Sequence, residues 1–407
     1  MTKNTTYLES KPHYEILDGL RGVAALAVVI FHCFEVFTFG NRFSQLMNHG
    51  YLAVDFFFLL SGFVIAYSYD DRWGKMTQWD FYKRRLIRLQ PMIVMGSLVG
   101  AALFYFQSSV VFPLISGTPV WKMLLIMVVG ATLLPVPISW DIRGWQEIHP
   151  LNGPAWSLFY EYIGNLLYAV LIRRFSKVLL GVFVFLSAVL LVQFAVWGGQ
   201  GDVIGGWALN AKELHVGFAR LLYPFFAGVL LCRMGRLIHV KRAFGICSLM
   251  ILAVFWIPRL GGDAHLWENG LYEAVSIIIF FPLIVAIGAG GHITGKRAAR
   301  ACKWLGDISY PLYITHYPII YCFWAWVYNK KIPAAKGLPG VPSLIGLVGT
   351  LIVFIVAVSL AQVYLKWYDE PVREWLKNKY GRIKLRQKPK PAAPFGEAAG
   401  DRSEVKF

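Results

Sequence analysis

The chain has 407 residues, 57% hydrophobic and only 15% charged, with a mean hydropathy of +0.52. A soluble domain carries about 25% charged residues, so this composition excludes a water-soluble globule and sends the surplus apolar surface to lipid. The net charge of +17 does not argue for nucleic acid, because the basic residues stand in short clusters between apolar runs, as cytoplasmic loops of membrane proteins do.

In chain order, residues 1–16 are expected to be a cytoplasmic N-terminus, 17–370 a transmembrane domain and 371–407 a basic, disordered cytoplasmic tail. A spanning helix needs roughly 20 mostly apolar residues. Ten runs meet that need: 17–37, 51–69, 89–107, 154–172, 178–197, 216–232, 243–258, 270–290, 307–327 and 343–365. The apolar run 22–34 is not a signal peptide, since Asp18, Arg21, His32 and Glu35 bracket or enter it and no small-residue cleavage site follows. An eleventh apolar segment, 120–138, is broken by Pro135 and Pro137. If it crossed, the later basic clusters at Arg173–Arg174–Lys177, Arg233–Arg242 and Lys296–Lys303 would all fall outside. It is therefore expected to be re-entrant or interfacial, which leaves ten crossings and both termini inside. Lys330, Lys331 and Lys336 are the single cluster that then falls outside. The fold expected is an all-α integral membrane bundle of about ten helices. The five cysteines have no paired spacing, so neither a metal site nor a disulfide framework is expected.

Ionisable residues within spanning segments are costly and mark function. Arg21 and His32 are eleven residues apart, which at about 100° per residue puts both on one face of the first helix. Asp55 and Ser61 are the polar residues of the second helix, and Trp156 and Glu161 lie in the fourth. The ninth carries Ser309, Tyr313 and His316 on one face, with Asp307 placed to cap its start. Helical rise puts His32 roughly 20 Å and His316 roughly 15 Å from the cytoplasmic ends of their helices, with Asp55 and Glu161 roughly 5–10 Å below the outer surface. Between the second and third helices lies the basic loop 72–91. Arg85 and Arg88 there are three apart, adjacent on any helix they join, and guanidinium forks suit phosphate oxygens.

Together these stretches resemble membrane acyltransferase family 3, bacterial integral-membrane O-acyltransferases that act on carbohydrates and some small molecules. LDGLRGVAALAVVIFHCF (17–34), AVDFFFLLSGFVI (53–65), RRLIRLQP (84–91), WSLFYEY (156–162) and LGDISYPLYITHYP (305–318) carry the resemblance, in the family's order. It implies acyl-CoA, acetyl-CoA above all, as a co-substrate on the cytoplasmic side, with no permanently bound cofactor. It makes His32 the catalytic base, with Arg21 in the same pore and Arg84, Arg85 and Arg88 at the donor site. Asp55, Glu161 and His316 are motif positions. Ser61, Trp156, Asp307, Ser309 and Tyr313 are further pore candidates. A stand-alone form is expected, without the C-terminal esterase-like domain of many relatives.

Acyl transfer to an alcohol needs a base, because a hydroxyl is a poor nucleophile at neutral pH. His32 is suited to that role, with Asp55 or Glu161 to orient it. The sequence contains no GxSxG and no HExxH. The expected function is transfer of an acyl group to a hydroxyl of a carbohydrate or glycolipid, as on an exported polysaccharide, in the bacterial cytoplasmic (inner) membrane. The alternative is a transporter or flippase using the same polar path.

Overall fold

A computed structural model describes residues 5–6, 11, 13–335, 340–381 and 383–384. The protein is an all-α membrane bundle. Its only sheet among these residues is a pair of two-residue antiparallel strands, β1 (Thr5–Thr6) and β2 (Ile383–Lys384), which join the two ends of the chain. Lys336 and residues 385–407 lie outside the described residues.

The helices are α1 (Glu15–Thr38), α2 (Ala53–Tyr69), α3 (Gln78–Leu103), α4 (Val120–Ala131), α5 (Ala155–Val170), α6 (Lys177–Trp197), α7 (Ala211–Met234), α8 (Ala243–Trp256), α9 (Leu266–Val275), α10 (Phe281–Gly290), α11 (Lys296–Asn329), α12 (Leu344–Tyr364) and α13 (Glu370–Tyr380). A π turn joins α9 to α10 and another joins α12 to α13. Eight stretches of the described chain are long and apolar enough to cross a membrane. The 34-residue α11 adds a ninth by length. The 14-residue α8 rises only about 21 Å, yet it also joins the two ends of the bundle. Phe244 at its start packs on Gly19, and the Phe255 carbonyl near its end accepts the His49 amide. The end where α1 begins and α12 finishes is the near face; the other is the far face.

The segment 120–138 is re-entrant. Helix α4 has 12 residues and rises about 18 Å, too little for a hydrocarbon core of about 30 Å. It starts beside Tyr105, whose hydroxyl donates to the Thr118 carbonyl (3.0 Å). It descends along α3 until the Ala131 carbonyl accepts from Gln90 Nε2 (2.5 Å). The chain turns at Leu133, in the left-handed region at φ 64°, and returns to the far face at Asp141, beside Lys122.

Three expectations about element bounds change. The basic stretch 72–91 is largely helical, because Thr77 and Asp80 form a capping box that starts α3 at Gln78. Asp307 caps nothing: α11 begins at Lys296, and Asp307 lies inside it, paired with Lys303 (2.6 Å). Residues 371–380, expected as disordered tail, belong to α13, which is stapled by Lys366–Glu370 (2.7 Å) and Arg373–Asp369 (2.6 Å), i,i+4 pairs.

Helices α1 and α11 run side by side as the central pair. At the near face Gly22 lies against the Leu305 backbone and Gly306 against Asp18, positions where a Cβ would collide. Small residues let helix backbones approach this closely. The pair α2–α7 closes in the same way, Gly62 against the Phe225 carbonyl and Gly228 against that of Leu59. These two tight seams hold the polar side chains of α1, α2, α7 and α11 in register around the interior.

Candidate functional site

Two cavities open along α1, one in each half of the bundle. The near cavity encloses about 430 Å³ and the far cavity about 310 Å³. Val54 and Tyr313 line both, so the cavities meet there. Tyr313 closes the junction: its hydroxyl is 2.7 Å from Ser157 Oγ, and its ring packs edge-on against Phe57.

The near cavity is lined by charge held in pairs. Arg21 Nε donates to Ser309 Oγ (2.7 Å), and its Nη2 reaches the Gly306 carbonyl (3.0 Å) and Asp18 (3.2 Å). Three partners fix its guanidinium at the wall. Arg85 donates to Glu161 (2.6 Å), which also accepts from Ser61 Oγ (3.0 Å). Asp307 lines the same wall. Arg88 also lines the cavity, with no hydrogen bond or salt bridge among the described residues. Arg84 does not line the cavity. At about 100° per residue it lies some 40° off Arg88, turned away from Arg85, and a turn closer to the near face.

The far cavity is built on His32. Its Nδ1 lies 2.8 Å from Glu35 Oε2, one turn along the same helix. A carboxylate there accepts a hydrogen bond from Nδ1–H, which favours the tautomer whose Nε2 lone pair is free. The imidazole stands edge-on to Tyr317 (4.6 Å between centroids) and near-parallel to His316 (5.6 Å). His316 directs Nδ1 at its own helix, to the carbonyls of Leu312 (3.0 Å) and Tyr313 (2.8 Å). Its Nε2 is buried without a partner. Trp145, Trp156 and Trp207 supply aromatic walls, and Glu147 a second carboxylate.

Glu147 comes from the far-face strap between α4 and α5. Both its oxygens accept from the Tyr321 hydroxyl (2.7 Å each). Arg143 stands under the same ring, its guanidinium 3.5 Å from the centroid, and donates twice to the Pro150 carbonyl (3.0 and 2.8 Å). Burial pushes the Glu147 carboxyl up to about 7, against the pull of Arg143 at 3.7 Å. Two residues on, burial pushes the imidazole of His149 down to about 3.

Neither carboxylate expected to orient His32 does so. Asp55 is taken by Arg220, which donates to both its oxygens (3.1 and 2.6 Å) and to the Tyr51 carbonyl (2.9 Å). Glu161, expected near the outer surface, faces the near cavity because Arg85, seven residues inside α3, reaches it there. The residues sequence reasoning missed are Glu35 as the His32 partner, Arg220 and Glu147. Glu35 lies i+3 from His32, a spacing that brings side chains together. Arg220 is a charge inside the apolar run 216–232, the signal that had marked Arg21. Glu147 lies in an irregular strap, and no periodicity points to it. No cluster of three or more His, Cys, Asp or Glu suited to a metal occurs among the described residues.

Comparison with known proteins adds an independent line. The acyltransferase family 3 model, described as an acyltransferase domain, matches residues 14–362. The chain is 27% identical over 333 residues to the acyltransferase MdmB of Streptomyces mycarofaciens, covering 75% of this chain and 78% of that one. It is 25% identical over 383 residues to the O-acetyltransferase OatA of Staphylococcus aureus, covering 88% of this chain and 57% of OatA. A shorter match, 36% over 165 residues, joins it to protein 2 in the picA locus of Rhizobium radiobacter, covering 38% of this chain and 80% of that protein. No solved structure matches.

Proposed function

Since this chain belongs to acyltransferase family 3 and is a membrane transferase of O-acyl groups, we propose that its donor is a cytoplasmic acyl-CoA, acetyl-CoA first, and its acceptor a carbohydrate or glycolipid hydroxyl. The near face is then cytoplasmic, both termini lie inside, and the membrane is the bacterial inner membrane. The observation that carries this reading is the meeting of two cavities of different chemistry at Tyr313 and Val54. The unpaired Arg88 suits the phosphates of a nucleotide-bearing donor. The far cavity pairs aromatic faces, which pack on sugar C–H surfaces, with the carboxylates Glu35 and Glu147, which accept from sugar hydroxyls.

In the reaction, His32 Nε2 takes the proton of the acceptor hydroxyl as its oxygen attacks the thioester carbon. The new C–O bond forms and the carbonyl π electrons move to oxygen. The Tyr313 hydroxyl, held at the junction by Ser157 and the Pro154 carbonyl, can serve that oxyanion only by giving up those partners. Collapse breaks the C–S bond, and the imidazolium returns its proton to the departing thiolate. Glu35 steadies the imidazolium throughout. Family membership sets aside the transporter reading. An exported polysaccharide is the acceptor we favour within this scheme.

The direct test is release of free thiol from acetyl-CoA by purified protein in detergent, with and without oligosaccharide. Thiol release stimulated by a sugar, with label recovered on that sugar, is the expected result. Binding of acetyl-CoA without any thiol release at any sugar concentration would count against it.

A further inference from the structure

The C-terminal helix α13 lies beyond residue 362, where the family match ends. It is not a detached appendage. The helical rod Leu344–Tyr380 runs unbroken through a π turn at Leu365–Asp369, and such turns occur often at functional sites. The rod brings α13 against α3, and Arg373 joins Arg88 and Arg21 in the lining of the near cavity. Asp369 Oδ2 takes Arg373 Nη2 (2.6 Å) and the Asp369 carbonyl lies 3.4 Å from its Nε. Asp369 is itself buried, and its Oδ1 has no hydrogen-bond partner. The side chain of Arg373 is about one-third exposed (35%). It is thus tethered at two nitrogens, Nη2 and Nε, and Nη1 makes no hydrogen bond among the described residues. The other basic residues of α13 differ: Lys377 is exposed and absent from the cavity, and Lys379 lies over the rings of Trp375 and Tyr380.

We propose that Arg373 is a ligand for the phosphates of the donor, making α13 a wall of the donor site and not a tail. This rests on acyl-CoA being the donor. A guanidinium contact to phosphate contributes about 1.5–3 kcal/mol, which is a fold-change of roughly 10–100 in affinity.

The experiment is calorimetric binding of CoA, and separately of pantetheine, which lacks every phosphate, to full-length protein in detergent. Arg373→Ala should weaken CoA binding roughly 10–100-fold and leave pantetheine binding unchanged. Arg373→Lys should recover only part, since lysine keeps the charge and loses the fork. Lys377→Ala should bind CoA as wild type does. Arg373→Ala also leaves the buried Asp369 carboxylate unpaired, so melting temperature is followed alongside, and Arg373→Ala combined with Asp369→Asn, which removes that charge, should show the same loss of CoA affinity. Wild-type CoA affinity in Arg373→Ala would overturn the proposal, as would equal losses in Arg373→Ala and Lys377→Ala, which would reduce it to general positive charge. Failure of wild type to bind CoA is a different result: it would remove the acyl-CoA donor itself.

Discussion

The two halves of the interior handle charge in opposite ways. In the near half Arg21, Arg85, Arg88 and Arg373 line the cavity, and Arg88 makes no hydrogen bond or salt bridge among the described residues. In the far half the one arginine on the wall, Arg220, is held by Asp55 and two carbonyls. There the groups left open are the imidazole of His32 and the carboxylates. A buried ion pair whose members satisfy each other is architecture; removing one member leaves an uncompensated charge. An ionisable group with an unused lone pair or proton facing a cavity is reagent. By that distinction we propose His32 and Arg88 as functional groups, with Arg220 and Asp55 as framework that shapes the far cavity.

The largest effect expected on this distinction is at His32. His32→Ala should lower turnover about 10²–10⁴-fold, the range for loss of a general base, with melting temperature unchanged. His32→Gln should be nearly as damaged, because an amide cannot accept the proton. Rescue by Gln, with Ala lowering activity and melting temperature together, would make His32 structural.

Arg220→Leu should behave in the reverse way. It leaves Asp55 buried and unpaired, which costs about 3–5 kcal/mol, and thermal unfolding should show the loss before kinetics does. A variant that melts like wild type but has lost turnover would move Arg220 to the reacting centre. Smaller again is Arg88→Ala. Loss of an unpaired guanidinium should raise the KM for acetyl-CoA roughly 10–100-fold without destabilising the protein. Arg85→Ala is a poorer probe, since it also orphans Glu161.

The smallest effect sharpens the view of the far-face strap. Between about pH 4.5 and 7 the folded Glu147 keeps a proton that the unfolded chain has released. Its contribution to stability is therefore present in full below that window and lost as pH rises through it. His149 has the opposite slope: its contribution is lost as pH falls below about 6.5. The two oppose each other, so each shows only against its own variant. The melting temperature of wild type minus that of Glu147→Gln should decline from pH 4.5 to 7. A constant difference would mean Glu147 is ionised throughout.

Much of this was legible in the sequence, and what was missed has a common cause. The pair Arg21–His32 follows from the helical repeat alone, and both residues face the interior along α1. That 120–138 does not cross follows from loop charge, because lipid penalises misplaced lysine and arginine whatever the fold; the choice between a re-entrant and an interfacial path does not. Partnership between helices has no such local record. Nothing in the spacing of Asp55 or Glu161 says that arginines on α7 and α3 will claim them. The start of α3 was placed too late because its first turns are polar. Hydropathy sees only the lipid-facing portion of a helix that a Thr77–Asp80 box begins earlier.

The central claim is that donor recognition and proton transfer are separate functions of the two cavities. The most direct measurement is CoA binding by calorimetry and thiol release from acetyl-CoA on the same preparations of Arg88→Ala and His32→Ala. The account predicts a crossed result: Arg88→Ala binds CoA roughly 10–100-fold more weakly, whereas His32→Ala binds it as wild type does and releases almost no thiol. Weak CoA binding in His32→Ala, together with wild-type binding in Arg88→Ala, would contradict it.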